Sequence, residues 1–482
     1  MTHRRLGVLA TVLTALVALA SPALATPPGR DAPVTDPVRP YGDGPTGPQG
    51  RDVSPRMQAE QGGGIRPGQL PTKTCGPDIC VHYVTTGDNA TKDAWAKTTL
   101  RTFEHVYSVY KAAGYRMPEP DGNDGGDSRI DVYLEDLASN GFAGYYGYCT
   151  SSPSSAPKGK HDTSAYCVLD NDYDPAQYGR AETPLKNLRV TAAHEFFHAV
   201  QYGYDADEDN WFAEATATWA EDQVYNGIND NRQYLPYGPL GTPNQSMDLG
   251  DYDPQGYQNF GVYGDWLFFR FLSEQFPAEA KGSELPTIVR QIWEAADSTG
   301  KTNRYSIQAV AAVLKAHGTS LQQEWGRFID ANRHPRVSYS EGAAYRPAAP
   351  DHTDTLRAHA ATASGSFSID HLAAATERVI PKSLVHGSRL RVTVSTARPS
   401  ISVATLSVWL KNGKVTSTPV RLRGKTGRVT VPFASASVSR AELTLGNSAA
   451  VYRCNRGTDY SCKGTPLRDN LRLAWTAKVL KP

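Results

Sequence analysis

The stretch TAAHEFFHAVQYGY, residues 191–204, holds two histidines four positions apart with a glutamate directly after the first. A Thr-Pro pair upstream and a glycine near the end of the stretch are typical helix boundaries, and they predict one helix across residues 184–202. On that helix His194 and His198 lie one turn apart on the same face. The stretch therefore predicts two imidazoles side by side, with the carboxylate of Glu195 next to them.

HExxH on a helix is a known zinc-binding pattern, in which both imidazoles bind the ion and the glutamate acts as a base. The alternative is a pair of histidines that only satisfy hydrogen bonds beside a core. The apolar residues favour the zinc interpretation, because they lie on the far side of the helix and leave the histidine face for another purpose: Leu185, Leu188, Ala192, Phe196 and Ala199. We therefore predict that His194 and His198 bind zinc and that Glu195 is the catalytic base.

A catalytic zinc site needs three protein ligands and an open position. The metzincin pattern would place glycine and histidine at positions 201 and 204. This chain has Gln201 and Tyr204 there, so that pattern is excluded. A second predicted helix, residues 211–225, follows closely and begins WFAEATATWAED.

HEFFH followed by this second segment resembles the gluzincin zinc peptidases, and the Trp-x-x-Glu-x-x-Ala pattern is similar to that of their aminopeptidase branch. The resemblance covers these two segments and leaves the C-terminal part of the chain untouched. It implies Glu214 as the third zinc ligand, and it implies a later tyrosine or histidine that stabilises the oxyanion. We predict Tyr263 for that role; the alternative is an aromatic residue of the core. The amine-binding Gly-x-Met-Glu-Asn stretch of the aminopeptidase branch is absent, which argues for an endopeptidase.

Two further acidic features have open interpretations. Glu221 lies on the same predicted helical face as Glu214 and would either orient a ligand histidine or carry a solvated charge. The acidic loops at 121–127 and 205–210 offer oxygen ligands for calcium, but they lack the order of an EF-hand loop, so solvated turns are favoured over a calcium site.

The N-terminus and the cysteines both indicate export. Residues 1–25 combine a basic start, a short apolar run and small residues, as in a signal peptide, with a signal anchor as the alternative. Six cysteines predict disulfides, and closeness in sequence favours Cys75–Cys80, Cys149–Cys167 and Cys454–Cys462. The net charge of +1 gives no support to nucleic-acid binding.

The chain as a whole predicts an α+β protein. After a Pro/Gly-rich linker or pro-segment at 26–70, we predict a helix-rich zincin-like catalytic domain with a small sheet at 71–340. A linker at 341–365 and a C-terminal β-sandwich at 366–482 follow, the latter indicated by short alternating strands.

The predicted function is that of a secreted, monomeric zinc metallopeptidase. It would hydrolyse protein or peptide substrates and contact neither membrane nor nucleic acid. The alternative is a non-catalytic exported binding protein with a structural metal site.

Overall fold

The computed structural model describes residues 70–140, 145–150, 161–251, 259–299 and 304–482. It has two compact units, one made of Met1–Gln233 and Gly250–Ala309 and the other of Tyr234–Leu249 and Val310–Pro482. The predicted signal peptide and all of the 26–70 segment except its last residue lie outside the described residues. None of the helices that the structure describes combines the length and the apolar character that a membrane span requires.

The helices are short except for three in the first unit. In chain order they are α1 (Asp93–Ala112), α2 (Pro175–Tyr178), α3 (Pro184–Tyr202), α4 (Asn210–Val224), α5 (Gly261–Gly264), α6 (Trp266–Gln275), α7 (Thr287–Ala296), α8 (Ser306–Ala316), α9 (Leu321–Ala331) and α10 (Pro335–Ser338).

The first unit contains a five-stranded mixed sheet. Its strands are β1 (Thr72–Cys75), β2 (Ile79–Tyr83), β3 (Ile130–Glu135), β4 (Gly147–Thr150) and β5 (Tyr166–Asp170), in the order β1-β2-β3-β5-β4. The pairs β2–β3 and β3–β5 are parallel, while both edge strands run antiparallel to their neighbours. Strands β2, β4 and β5 are buried along their whole length, so this sheet forms a central part of the unit.

The predicted fold class, a helix-rich zincin-like domain with a small sheet followed by a β-sandwich, is wrong. The structure is about 31% helix and 27% strand, with four sheets and a strand-rich C-terminal half. The physical reason lies in the buried strands. ICVHY of β2 and GYCT of β4 are covered on both faces, so they show none of the apolar–polar alternation by which a sequence reveals a half-buried strand.

Two five-stranded sheets of the second unit share one apolar core. One has the order β11-β10-β14-β8-β6 and the other β12-β13-β9-β17-β7, and a two-stranded ribbon pairs β15 with β16. The strands are β6 (His352–Leu356), β7 (Thr362–Ile369), β8 (Ala373–Pro381), β9 (Arg389–Thr396), β10 (Ser402–Leu410), β11 (Val415–Pro419), β12 (Leu422–Arg423), β13 (Thr426–Pro432), β14 (Val438–Asn447), β15 (Tyr452–Arg453), β16 (Thr465–Pro466) and β17 (Leu471–Leu480). Strand β6 falls within the predicted linker at 341–365 and pairs with β8.

A buried histidine ties three segments of the second unit together. His371 lies between β7 and β8, with Nε2 2.7 Å from Oδ1 of Asp248 and Nδ1 2.5 Å from Oδ1 of Asp469. The Tyr452 hydroxyl donates to the other oxygen of Asp248 at 2.6 Å. Burial lowers the pKa of His371, but the two carboxylates outweigh that effect and raise it to about 10.

The three predicted disulfides are confirmed: Cys75–Cys80, Cys149–Cys167 and Cys454–Cys462. The first two join residues that face each other in neighbouring strands, β1 with β2 and β4 with β5. Such bonds are typical of an oxidising compartment and constrain the unfolded chain.

Candidate metal centre

The predicted HExxH helix is confirmed as α3, which begins and ends where the sequence places it. The Thr183 side chain accepts a hydrogen bond from the Lys186 backbone nitrogen, and Pro184 occupies the first turn. The helix ends before Gly203, where a Cβ atom would lie only 2.7 Å from the carbonyl oxygen of Met117. Glycine is therefore required there by close packing.

Helix α3 is buried on almost every side. Phe196, predicted to face the core, lies against the rings of Phe103, Tyr107 and Tyr110 of α1. The Tyr110 hydroxyl also donates to the Ala193 carbonyl oxygen at 2.7 Å. The histidine face lies against α4 instead, and both histidines are buried.

The structure brings together the three predicted metal ligands, His194, His198 and Glu214. One ligand atom from each lies within 4.8 Å of the others. The Oε2 atom of Glu214 is 3.2 Å from Nε2 of His194 and 3.5 Å from Nε2 of His198. Among the described residues this is the one group of three His, Cys, Asp or Glu side chains close enough to hold an ion.

A carboxylate supports the first histidine. The Oε1 atom of Glu221 lies 2.8 Å from Nδ1 of His194, on the side of the ring away from Glu214. Glu221 is buried, so its position is that of a group orienting a ligand and not of a solvated helix charge.

An amide supports the second histidine. The Oε1 atom of Gln201 lies 2.9 Å from Nδ1 of His198, while its Nε2 donates to the Ala213 carbonyl oxygen at 2.9 Å and to Thr216 Oγ1 at 3.1 Å. A carbonyl oxygen only accepts, so the amide nitrogen must face Ala213 and the amide oxygen must face His198. Nδ1 of His198 then donates to the amide oxygen, and Nε2 is the ring nitrogen that faces Glu214.

In the sequence, Gln201 only excludes the metzincin pattern and gives no sign of this contact. Its contact with His198 depends on a backbone carbonyl of α4, which no spacing along the chain reveals.

The electrostatics of the cluster follow from burial and close opposite charges. Burial would lower the pKa of His194, but hydrogen bonds with Glu214 and Glu221 outweigh it and raise the pKa to about 10. Burial would raise the pKa of Glu214, but the two histidines outweigh it and lower the pKa to about 2. The carboxylate of Glu214 is therefore ionised, as a metal ligand must be.

The donor set fits a divalent transition metal. Two imidazoles and one carboxylate are a known catalytic zinc set. The second oxygen of Glu214, Oε1, is fully buried and makes no hydrogen bond to the described residues. A buried carboxylate oxygen without a partner is costly, and a bound cation would compensate that cost.

The predicted catalytic residues lie around this cluster. Glu195 is 7% exposed and packs against β4, because a Cβ atom added to Gly147 would lie 3.2 Å from Glu195 Cγ. Tyr263 is the third residue of the four-residue helix α5, and its half-buried ring has its centroid 6.1 Å from that of His194. Tyr263 therefore lies beside the cluster, and the catalytic roles of both residues stay predictions.

The comparisons with known proteins identify no family. No family model matches the chain, and no curated protein does. One solved structure with local likeness is the pre-peptidase C-terminal domain of a collagenase from Bacillus anthracis, at 11% identity. The match covers 27% of this chain and 97% of that one, with a TM-score of 0.17. The lysozyme inhibitor PliG of Aeromonas hydrophila matches at 10% identity over 27% of this chain and 100% of that one, with a TM-score of 0.16. Similarity this low carries no argument about function.

Proposed function

We propose that this protein is a zinc-dependent endopeptidase with a gluzincin-type ligand set, and that it acts outside the cell. The observation that carries the proposal is the buried cluster of His194, His198 and Glu214, with Glu195 directly beside the first ligand in the same helix. The three disulfides agree with export.

Each residue has a defined task in this proposal. His194, His198 and Glu214 would hold zinc, which supplies a Lewis acid that activates water and polarises a carbonyl group. Glu195 takes a proton from the attacking water and returns it to the leaving amine nitrogen. The Tyr263 hydroxyl donates a hydrogen bond to the carbonyl oxygen as negative charge develops on it. Glu221 and Gln201 keep the two imidazoles in orientation.

Strand β4 is the element that suits an extended peptide. It forms the edge of the first sheet, and Gly147 in it lies against the side chain of Glu195. An edge strand can pair with an extended segment through backbone hydrogen bonds. Strands β3 and β5 are interior and already pair on both edges. We infer that substrate pairs with β4 and that its scissile bond then lies near Glu195.

The second candidate is a binding protein in which the metal is structural. The burial of all three ligands favours it, because structural zinc sites are closed while catalytic ones keep an open position. Glu195 argues for catalysis, since a structural site does not need a carboxylate beside its ligand.

Hydrolysis of an unfolded substrate decides between the two. Purified protein loaded with zinc should degrade reduced, carboxymethylated casein, lose that activity in 1,10-phenanthroline, and regain it when zinc is restored. A protein that binds zinc, melts at a lower temperature without it, and leaves casein intact would be the structural-site protein. His198→Ala serves as the control that removes a ligand in both cases.

A further inference from the structure

One sheet of the second unit has an outer surface that carries positive charge only. None of its five strands, β12, β13, β9, β17 and β7, contains an aspartate or a glutamate. Their inward residues build the shared core, and every cation of these strands lies on the opposite side. We call this set the cationic face: Arg389, Arg391, Arg423, Arg428, Arg472 and Lys478.

The strand register brings these charges close together. Lys478 of β17 stands directly opposite Arg391 of β9, and Arg389 is the next residue of β9 on the same side. Opposed residues in a sheet have Cβ atoms about 5 Å apart, and like charges at that distance destabilise the pairing. Nothing on the sheet offsets the cost, because none of the six cations forms an ion pair with any residue that the structure describes. The Nε of Arg391 is buried without a hydrogen-bond partner there.

The other sheet of the same unit handles arginine differently. Glu442 of β14 accepts hydrogen bonds from Arg333 at 3.0 Å, from Arg378 at 2.9 Å and from Arg440 at 3.0 Å. These three arginines therefore share a carboxylate, which the arginines of the cationic face lack. The whole chain is nearly neutral, with 50 Lys and Arg against 49 Asp and Glu. The cationic face is thus a local segregation of charge and not a result of composition.

The neighbours of these cations indicate the kind of anion. Strand β7 adds a row of exposed hydroxyls that pairs with Lys478 at one end and Arg472 at the other: Thr362, Ser364, Ser366 and Ser368. Along β17 the two cations are separated by six residues, which spans about 20 Å in a strand. The outward positions carry no aromatic ring for stacking nucleic-acid bases, and their one large apolar side chain, the half-buried Leu480 at the end of β17, is too little for entering a bilayer.

We propose that the cationic face binds an acidic polysaccharide. Its spaced cations would pair with sulfate or carboxylate groups along the polymer, and the hydroxyl row would hydrogen-bond to the sugar units between them. Such binding would hold the protein on an extracellular matrix or wall. The cationic face shares no residue with the metal centre, so a failure of this proposal would leave the proposed peptidase activity untouched.

The test measures binding of the full chain to immobilised dextran sulfate, with neutral dextran as the blank. The double variant Arg391→Ser/Lys478→Thr should bind at least tenfold more weakly at 50 mM salt, with a shallower dependence of affinity on salt. The matched control Lys411→Ser/Lys414→Thr removes the same charge from an exposed hairpin of the same unit, and it should bind within twofold of the unmodified chain. The melting temperature of the first variant should not fall, because it loses a like-charge pair.

Three results would overturn the proposal. The unmodified chain would bind dextran sulfate no better than neutral dextran, both double variants would lose affinity equally, or duplex DNA would bind more tightly than dextran sulfate at the same salt concentration.

Discussion

Replacing Gln201 with leucine should weaken zinc binding, although Gln201 is not itself a predicted zinc ligand. Leucine keeps much of the volume but leaves the Nδ1 hydrogen of His198 buried without its acceptor, while the Ala213 carbonyl oxygen keeps the Thr216 hydroxyl as a donor. The unpaired donor costs about 1–3 kcal/mol, and the added apolar burial offsets part of that cost. We expect a loss of about 1–3 kcal/mol in the free energy of unfolding. Loss of a residue that orients a ligand lowers metal affinity about 10–100-fold.

The assay is competition for zinc against a chromophoric chelator, together with the visible spectrum of the cobalt(II) protein. Leu188→Ala is the matched control, because it removes a fully buried side chain from the same helix without a contact to the ligands. It should cost a similar 2–5 kcal/mol of stability and leave zinc affinity within about twofold. Unchanged zinc affinity in Gln201→Leu, or an equal loss in Leu188→Ala, would refute the orienting role.

Three further predictions concern single residues. The free energy of unfolding should fall as pH rises from about 6.5 to about 10, because His371 loses its proton and its attraction to Asp248 and Asp469. The shift of its pKa from 6.5 to about 10 sets an upper bound of about 5 kcal/mol on the loss. Denaturant titration of the His371→Gln variant should show no such dependence on pH. Tyr263→Phe should lower kcat about 10²-fold in steady-state casein-peptide assays with KM nearly unchanged, and an unchanged kcat would exclude the hydroxyl as the oxyanion donor. Gly147→Ala should reduce the hydrolysis rate several-fold while zinc content stays at one equivalent, because the new methyl group would lie 3.2 Å from Glu195 Cγ. A rate equal to that of the unmodified protein would show that β4 does not position the base.

The sequence predicts the site helix well because its signals are local. The cap at Thr183, the proline after it and the glycine at 203 act within one turn of the helix ends, and α3 runs over the predicted range. The HGTS segment at 317–320 interrupts the helical pattern of the sequence, and α8 and α9 are separate helices on either side of it. The third predicted ligand, Glu214, comes from the resemblance of the next helix to a known motif.

Features that depend on distant parts of the chain were missed or mistaken. Strands β1, β2 and β4 are absent from the predicted elements, because four or five residues are too few for a clear period, and β2 and β4 are also buried on both faces. The Asn412-Gly413 dipeptide is typical of a two-residue type I′ turn, which needs a positive φ at both positions. Only Gly413 has one, at 87°, and the loop is longer, with the Leu410 nitrogen donating to the Lys414 carbonyl oxygen.

The most direct test of the central claim is the Glu195→Gln variant, measured for both zinc content and casein hydrolysis. The glutamine has nearly the same shape and removes only the ability to take a proton. We predict that the variant retains one equivalent of zinc and loses hydrolysis by about 10²–10⁴-fold. Hydrolysis at the unmodified rate with zinc bound would contradict the assignment of Glu195 as the base and, with it, the proposed endopeptidase.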